Sequence, residues 1–294
     1  MDPRAWSEVI RPALADRQGS ATFIGTPKGL NHFAEVNERA KDDPDWFHLI
    51  LKASETGLIL PGELKDARKE MTEDQYEQEF ECSFSAALVG AYYGKDMNAL
   101  EKADPSQITG VPYDRAVPVW TAWDLGIDDS TAIWFAQLVG REVHLIDYLE
   151  ASGEALDYYV RELGKRPYAW AGHLLPHDAE AKELGTGKTR VETLRSLGLN
   201  QIRVVPQQRV EDGINAVRLL LPRCWFDKTQ TKRGIDALRN YEREWDDKTK
   251  AFRMKPHHNW ASHGADAFRY LAMGLPKASS AAPKSVAPRY GTMA

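Results

Sequence analysis

The spacing of apolar positions changes along the chain, and the changes predict its elements. Over residues 119–124, 131–138 and 142–149 the sequence runs through β-branched, aromatic and aliphatic residues, interrupted by Gly126-Ile127-Asp128-Asp129-Ser130 and by Val139-Gly140-Arg141. Short apolar runs bounded by turn residues read as strands, and such short links make successive strands antiparallel. Helix and strand patterns then alternate: a helix over 153–163, a strand over 168–175, a helix over 189–197, a strand over 201–205 and a helix over 210–220. A three-strand meander followed by strand–helix crossovers predicts a mixed sheet with helices on both faces. A helix over 234–245, a hairpin across 245–254 turning at Asp246-Asp247-Lys248, and a helix over 262–273 capped by Ser262 complete this region.

The first part of the chain has a different pattern. A helix is expected over 3–15, then an apolar strand over 21–29 that ends in Thr26-Pro27-Lys28-Gly29, then a helical stretch rich in Glu, Lys and Gln over 61–84 with an N-cap at Thr72. Residues 91–116 hold several Gly and Pro with little periodicity and read as a linker. The organisation expected is therefore 1–90, a linker 91–116, a sheet domain 117–275 and an Ala/Ser/Pro-rich disordered tail 276–294.

Composition narrows the classes without choosing among them. With 43% hydrophobic and 28% charged residues in 294, the chain has the profile of a globular protein of more than one structural unit. No apolar run approaches the roughly 20 residues that span a bilayer, and Met1-Asp2-Pro3-Arg4 lacks the grammar of a signal peptide. Cys82 and Cys224 stand far apart with no CxxC spacing, which argues against both a disulfide framework and a zinc site. A net charge of −5 excludes a uniformly basic coat protein but permits a local basic groove.

Three aspartates carry the candidate chemistry. Asp124 ends an apolar strand just before Leu125-Gly126, Asp178 follows the next crossover strand where Pro176 turns the chain out of the sheet, and Asp266 lies in Ser262-His263-Gly264-Ala265-Asp266, expected one turn into a late helix. Each alone is as well explained as a turn or cap residue. Together they suit a cage for two Mg²⁺ or Mn²⁺ ions, hard cations that prefer carboxylate oxygen. Asp128 and Asp129 are possible auxiliary ligands, although a turn role fits each better; His177 and His263 adjoin the aspartates and could orient them.

Basic residues for phosphate contacts are Lys188 and Arg190 beside Asp178, and Lys248, Lys250 and Arg253 on the hairpin, with Lys228, Lys232, Arg233 and Lys255 nearby; a solvated charged face is the competing reading. Gly185-Thr186-Gly187-Lys188-Thr189 imitates a phosphate loop, but Lys182 stands where its first Gly belongs. Trp120, Trp123 and Trp134 read as core.

The order strand-Asp-x-Gly, His177-Asp178 after a fourth strand, and Ser262-His263-x-x-Asp266-Ala267-x-Arg269-Tyr270 resembles the nuclease domain of the large terminase subunit of tailed bacteriophages. That resemblance implies a ribonuclease H-like fold, Asp124, Asp178 and Asp266 as ligands of a metal pair, and an endonuclease that cuts concatemeric double-stranded DNA during genome packaging. It also implies portal protein and small terminase subunit as partners, no membrane, and the cytoplasm of an infected bacterium as the setting. Residues 10–33 resemble the end of the packaging ATPase, where Thr26, Pro27 and Gly29 correspond to a coupling turn, so residues 1–90 are expected to be an incomplete P-loop-ATPase-type α/β segment. Neither a Gly-x-x-x-x-Gly-Lys-Ser/Thr nor a strand ending in Asp-Glu is present, so a truncated or split subunit without ATP hydrolysis of its own is expected. The alternatives are a Holliday-junction or transposase-like nuclease on the same fold, and a non-catalytic DNA-binding or motor-coupling module.

Overall fold

Residues 5–27, 32–71, 73–84, 90–126, 130–183, 185, 187–246 and 251–276 are described by the structure, a computed structural model. Its strands are β1 (Ile108–Thr109), β2 (Val119–Asp124), β3 (Ser130–Val139), β4 (Glu142–Ser152), β5 (Trp170–Leu175), β6 (Ile202–Val204), β7 (Cys224–Asp227), β8 (Arg243–Asp246) and β9 (Ala251–Pro256). Seven form one sheet in the order β1-β7-β4-β3-β2-β5-β6, and β8 and β9 form a separate hairpin.

The meander β2-β3-β4 is antiparallel throughout, because the links between its strands are too short for a crossover. β5 joins β2 in parallel on the other side and β6 joins β5 in parallel. From β2 onward the spatial order of the first five strands is thus 3-2-1-4-5, with only the second strand reversed. The pattern predicts a mixed sheet, and this strand order makes it the ribonuclease H-like sheet that the resemblance implies. β7, which sequence periodicity does not reveal in four residues, extends it beside β4, and β1 extends it beside β7.

Strict alternation along β2 decides which side chains face which helices. Trp120 and Ala122 point to one face, where they pack with Trp134, Leu145, Leu174, Phe226, Phe268 and Leu271 beneath the helices Gly94–Lys102, Val210–Leu220, Lys232–Asn240 and Trp260–Gly274. Val119 and Trp123 point to the other, with Ile133, Phe135, Tyr159, Leu163 and Leu194 beneath Leu156–Gly164 and Arg190–Ser196. Asp124 shares the parity of Trp120 and Ala122, so its carboxylate emerges under the last helix.

That last helix lies unusually close to the sheet. A Cβ on Gly264 would stand 2.7 Å from the Tyr148 hydroxyl and 2.8 Å from the Ala237 Cβ, and the Gly264 carbonyl accepts a 2.8 Å hydrogen bond from Trp134 Nε1. The small residue at this position lets helix backbone reach the sheet.

Five expectations are corrected. The segment 91–116 is not a linker: it forms the helix Gly94–Lys102 and β1, and buries Tyr93, Met97 and Leu100 in the main core. Residues 19–27 make no strand, because among the described residues no neighbouring strand supplies a hydrogen-bond ladder; Ile24 is left 93% exposed and Phe23 rests on Trp6 at 4.8 Å. The described part of residues 5–84 is accordingly helical, and the stretch 61–84 divides into Pro61–Glu70 and Glu73–Glu79, with Thr72 outside the described residues. The late helix starts at Trp260 and is capped by Asn259, whose side chain accepts from the Ala261 amide at 2.8 Å, so Ser262 is not the cap. The expected helix over 234–245 is Lys232–Asn240, and β8 begins where it was expected to continue. The tail from residue 277 lies outside the described residues.

Candidate functional site

Asp124, at the end of β2, faces His263 of the last helix, with Oδ2 and the imidazole Nδ1 3.3 Å apart. One turn farther along, Asp266 receives a 3.0 Å hydrogen bond from the Tyr241 hydroxyl and another from Arg269 Nε at 3.0 Å, while Arg269 Nη2 stands 3.0 Å from the same oxygen, Oδ1. Because the helix begins at Trp260, Asp266 lies at the end of the second turn, where the helix dipole has little hold. The i+3 arginine, not the helix N-terminus, stabilises its charge.

Asp178 sits at the same sheet edge by register: Ala122 of β2 pairs with Leu174 of β5, and the chain leaves β5 through Pro176 into a single 3-10 turn, His177–Glu180. Its side chain is 53% exposed and stands 3.5 Å from Arg190 Nη1. His177 is half-buried on the same turn.

All three carboxylates act electrostatically on one side chain, Tyr270. Burial pushes the Tyr270 hydroxyl up to about 12; Arg269 opposes this, and Asp124, Asp266 and Asp178 all add to it. Asp124 itself is pushed up to about 6, first by burial, with its His263 hydrogen bond pulling down and the Asp266 charge pushing up again. Among the described residues no three His, Cys, Asp or Glu side chains are gathered closely enough to hold a metal between them. Instead each aspartate is held by protein donors, Asp124 by His263, Asp266 by Tyr241 and Arg269, and Asp178 by Arg190.

The raised Asp124 pKa has a consequence for stability, and its sign is opposite to that of a salt-bridged carboxylate. The folded state binds the proton more tightly than the unfolded state, whose ordinary value is 3.8, so this contribution is fully present below about pH 4 and is lost as pH rises through about 6. The side chain is 22% exposed, which discounts the effect to about 1–2 kcal/mol. In EDTA, Asp124→Asn is therefore expected to raise Tm by a few degrees at pH 8 and to lose that advantage towards pH 4. Identical shifts at both pH values, measured by calorimetry, would contradict the burial account.

The remaining candidates separate clearly. Asp128, Asp129, Lys248, Lys250 and Gly29 lie outside the described residues. Thr26 is exposed and Pro27 buried in the unpaired segment 19–27. Arg253 is not a free cation: it bonds Glu244 at 2.8 Å and Asp246 at 3.0 Å across the hairpin, and Lys255 holds Glu244 at 2.7 Å. Lys232 holds Glu35 and Asp236 at 3.1 and 3.2 Å, and Arg233 holds Glu150 at 3.0 Å. Lys188 is exposed, and Arg190 turns towards Asp178 and Glu183. Beside the phosphate-loop imitation the Glu183 amide donates to the Lys188 carbonyl at 2.9 Å, and the helix that follows is already capped by its own residues: Thr189 and Glu192 form a reciprocal capping box at 3.0 and 2.8 Å.

Two contributors escaped the sequence reading. Tyr241 lies 25 residues before Asp266 and had no signal beyond its aromatic side chain. Arg269 stood in the motif itself, three residues after Asp266, and helical spacing alone could have paired them.

No family model matches the chain. Over 283 residues, 90% of this chain, the sequence is 23% identical to the terminase large subunit of Escherichia phage T5. The chain spans 60% of that relative's length. Among solved structures it is similar to the large terminase of a thermophilic bacteriophage, at 16% identity over 90% of this chain and 66% of the other with a TM-score of 0.49. It is also similar to the large terminase nuclease domain of bacteriophage SPP1 with bound Mn, at 19% identity over 55% of this chain and 91% of that domain with a TM-score of 0.44. The fold assignment rests on the strand order of the chain itself.

Proposed function

We propose that the chain is a divalent-cation-dependent DNA endonuclease acting as the nuclease part of a phage terminase large subunit. The observation that supports this reading is Asp124, at the end of β2, bonded to His263 of the helix that carries Asp266, with Asp178 at the same sheet edge and all three charges acting on Tyr270. The donor set fits the group required. Carboxylate oxygens with one imidazole nearby are ligands for hard cations, Mg²⁺ or Mn²⁺, and the three aspartates are the residues that would hold a pair of them. When bound, such ions supply a polarised phosphate and an activated water.

The protein's own part is to hold and orient. His263 fixes the Asp124 carboxylate, Arg269 and Tyr241 fix that of Asp266, and Trp134 anchors the helix that carries both His263 and Asp266. Bringing in Asp178 requires its exposed side chain to exchange Arg190 for the site, which also frees Arg190 for a DNA phosphate. Double-stranded DNA is the proposed substrate, portal protein and small terminase subunit the proposed partners, and the infected cell's cytoplasm the proposed setting. No helix among the described residues is long and apolar enough to cross a membrane.

The test is relaxation and linearisation of a supercoiled plasmid by the purified chain with Mn²⁺ or Mg²⁺, and its loss in EDTA. Cleavage restricted to four-way junctions would favour the junction-resolving alternative. DNA binding without cleavage, and without Mn²⁺ uptake, would favour a non-catalytic module.

A further inference from the structure

The contacts of Asp266 are unevenly distributed between its two oxygens. The Tyr241 hydroxyl, Arg269 Nε and Arg269 Nη2 all converge on Oδ1, each at 3.0 Å, and among the described residues Oδ2 accepts no hydrogen bond. A carboxylate with one oxygen held by two hydrogen bonds and a close guanidinium nitrogen is rotationally fixed, and its other oxygen is committed to a single direction.

Tyr241 is in turn held from behind. It is 1% exposed, its ring stacks on Tyr93 with centroids 5.7 Å apart and planes 19° apart, and its carbonyl accepts a 2.8 Å hydrogen bond from the Tyr92 amide. Tyr93 is fully buried, yet among the described residues its hydroxyl has no hydrogen-bond partner, and the charged groups acting on it include Arg269 and Asp266. A buried phenol costs stability unless its hydroxyl is bonded, and the ring on which this one stacks is the ring whose hydroxyl bonds Asp266.

We propose that Tyr241, backed by Tyr93, is a positioning residue that saturates Oδ1 of Asp266 so that Oδ2 is presented to a divalent cation, with the Tyr93 hydroxyl joining the same donor set through one bound water. The inference rests on the nuclease reading above and deepens it. It also gives the residues just after Gly90 a role at the site: Tyr92 and Tyr93 lead out of the segment expected to be a linker and end against the residue that orients Asp266.

The test measures Mn²⁺ binding directly, by electron paramagnetic resonance of free Mn²⁺, beside plasmid cleavage over a range of Mn²⁺ concentrations. Tyr241→Phe keeps the ring stack and removes only the hydroxyl. It is expected to weaken Mn²⁺ binding about tenfold and to lower cleavage at saturating DNA, with KM for DNA and Tm essentially unchanged. Tyr93→Phe is expected to weaken Mn²⁺ binding by about threefold, which is also the check should the Tyr241 variant fold poorly. If Tyr93→Phe raises Tm and leaves Mn²⁺ binding unchanged, its hydroxyl is merely unsatisfied and that part is overturned. Unchanged Mn²⁺ affinity in Tyr241→Phe, against a wild type that binds, overturns the positioning role alone. A wild type that takes up no Mn²⁺ overturns the nuclease reading and this inference with it.

Discussion

Replacing Asp124 with Asn is expected to lower cation-dependent plasmid cleavage by about a thousandfold or more while leaving the fold intact. The change removes one charge and almost no volume, and the amide oxygen can still accept from His263, which now stands 3.3 Å from the carboxylate. What is lost is an anionic ligand at the end of β2. Metal-assisted phosphodiester cleavage draws several kcal/mol of transition-state stabilisation from ions held by such ligands, and about 4 kcal/mol corresponds to three decades in rate. The two halves of this expectation have opposite signs: the variant gains stability at pH 8 because burial penalises the charge it no longer carries, and loses activity because that charge was the purpose of the site. Cleavage within tenfold of wild type, with Mn²⁺ saturating, would remove Asp124 from the site. Asp266→Asn is the companion measurement, and a loss in one variant without the other would mean that the two carboxylates do not serve the same ions.

Asp124 also shows what was legible in the sequence. Its face followed from counting along one strand, since alternation from Trp120 and Ala122 fixes where residue 124 points. Asp266 was found for a partly mistaken reason. Ser262 and Asn259 are both good caps, and the choice between them depends on which side chain reaches a free amide, which only the three-dimensional path of the chain decides. The helix Gly94–Lys102 was missed although Tyr93, Met97 and Leu100 repeat at helical spacing, because the surrounding Gly and Pro diluted the pattern over the window. The strand expected over 21–29 fails in the opposite way across its described residues, 21–27: a strand is a relation between segments, and apolar sequence without a partner ladder does not make one.

Charge was the least legible property. Arg253 and Lys255 looked available for phosphate because a linear reading counts cations without their partners; cross-strand pairing with Glu244 and Asp246 neutralises them on the hairpin. Arg190 is informative for the same reason, since its partner is one of the site aspartates. A basic residue that guards a carboxylate in the free protein is well placed to turn to DNA phosphate once a cation takes that carboxylate over.

Gly264→Val is expected to cost about 3 kcal/mol of stability and to abolish cleavage even in the molecules that remain folded. The argument turns on what the new atoms would meet. A Cβ at this position would stand 2.8 Å from the Cβ of Ala237, which cannot move without its helix backbone, and 2.7 Å from the Tyr148 hydroxyl, which is fixed by a 2.5 Å hydrogen bond to Glu150. Glu150 is itself held by Arg233 at 3.0 Å, and the Arg233 guanidinium lies 4.1 Å from the ring centroid of Trp260, at the start of the same helix. No flexible side chain is available to yield, so the helix must lift, and His263 and Asp266 lift with it away from Asp124. Gly274 provides the internal control. Its Cβ would be as crowded, at 2.8 Å from Val205 and 2.9 Å from Leu174, but both neighbours are methyl groups at side-chain ends, and the position lies beyond the site. Gly274→Ala is expected to cost less than about 1 kcal/mol and to keep full cleavage. Equal losses in the two variants by urea denaturation would mean that close packing of the helix is a general feature of the fold; a loss confined to Gly264 would tie the close approach to the placement of the two site residues beside it.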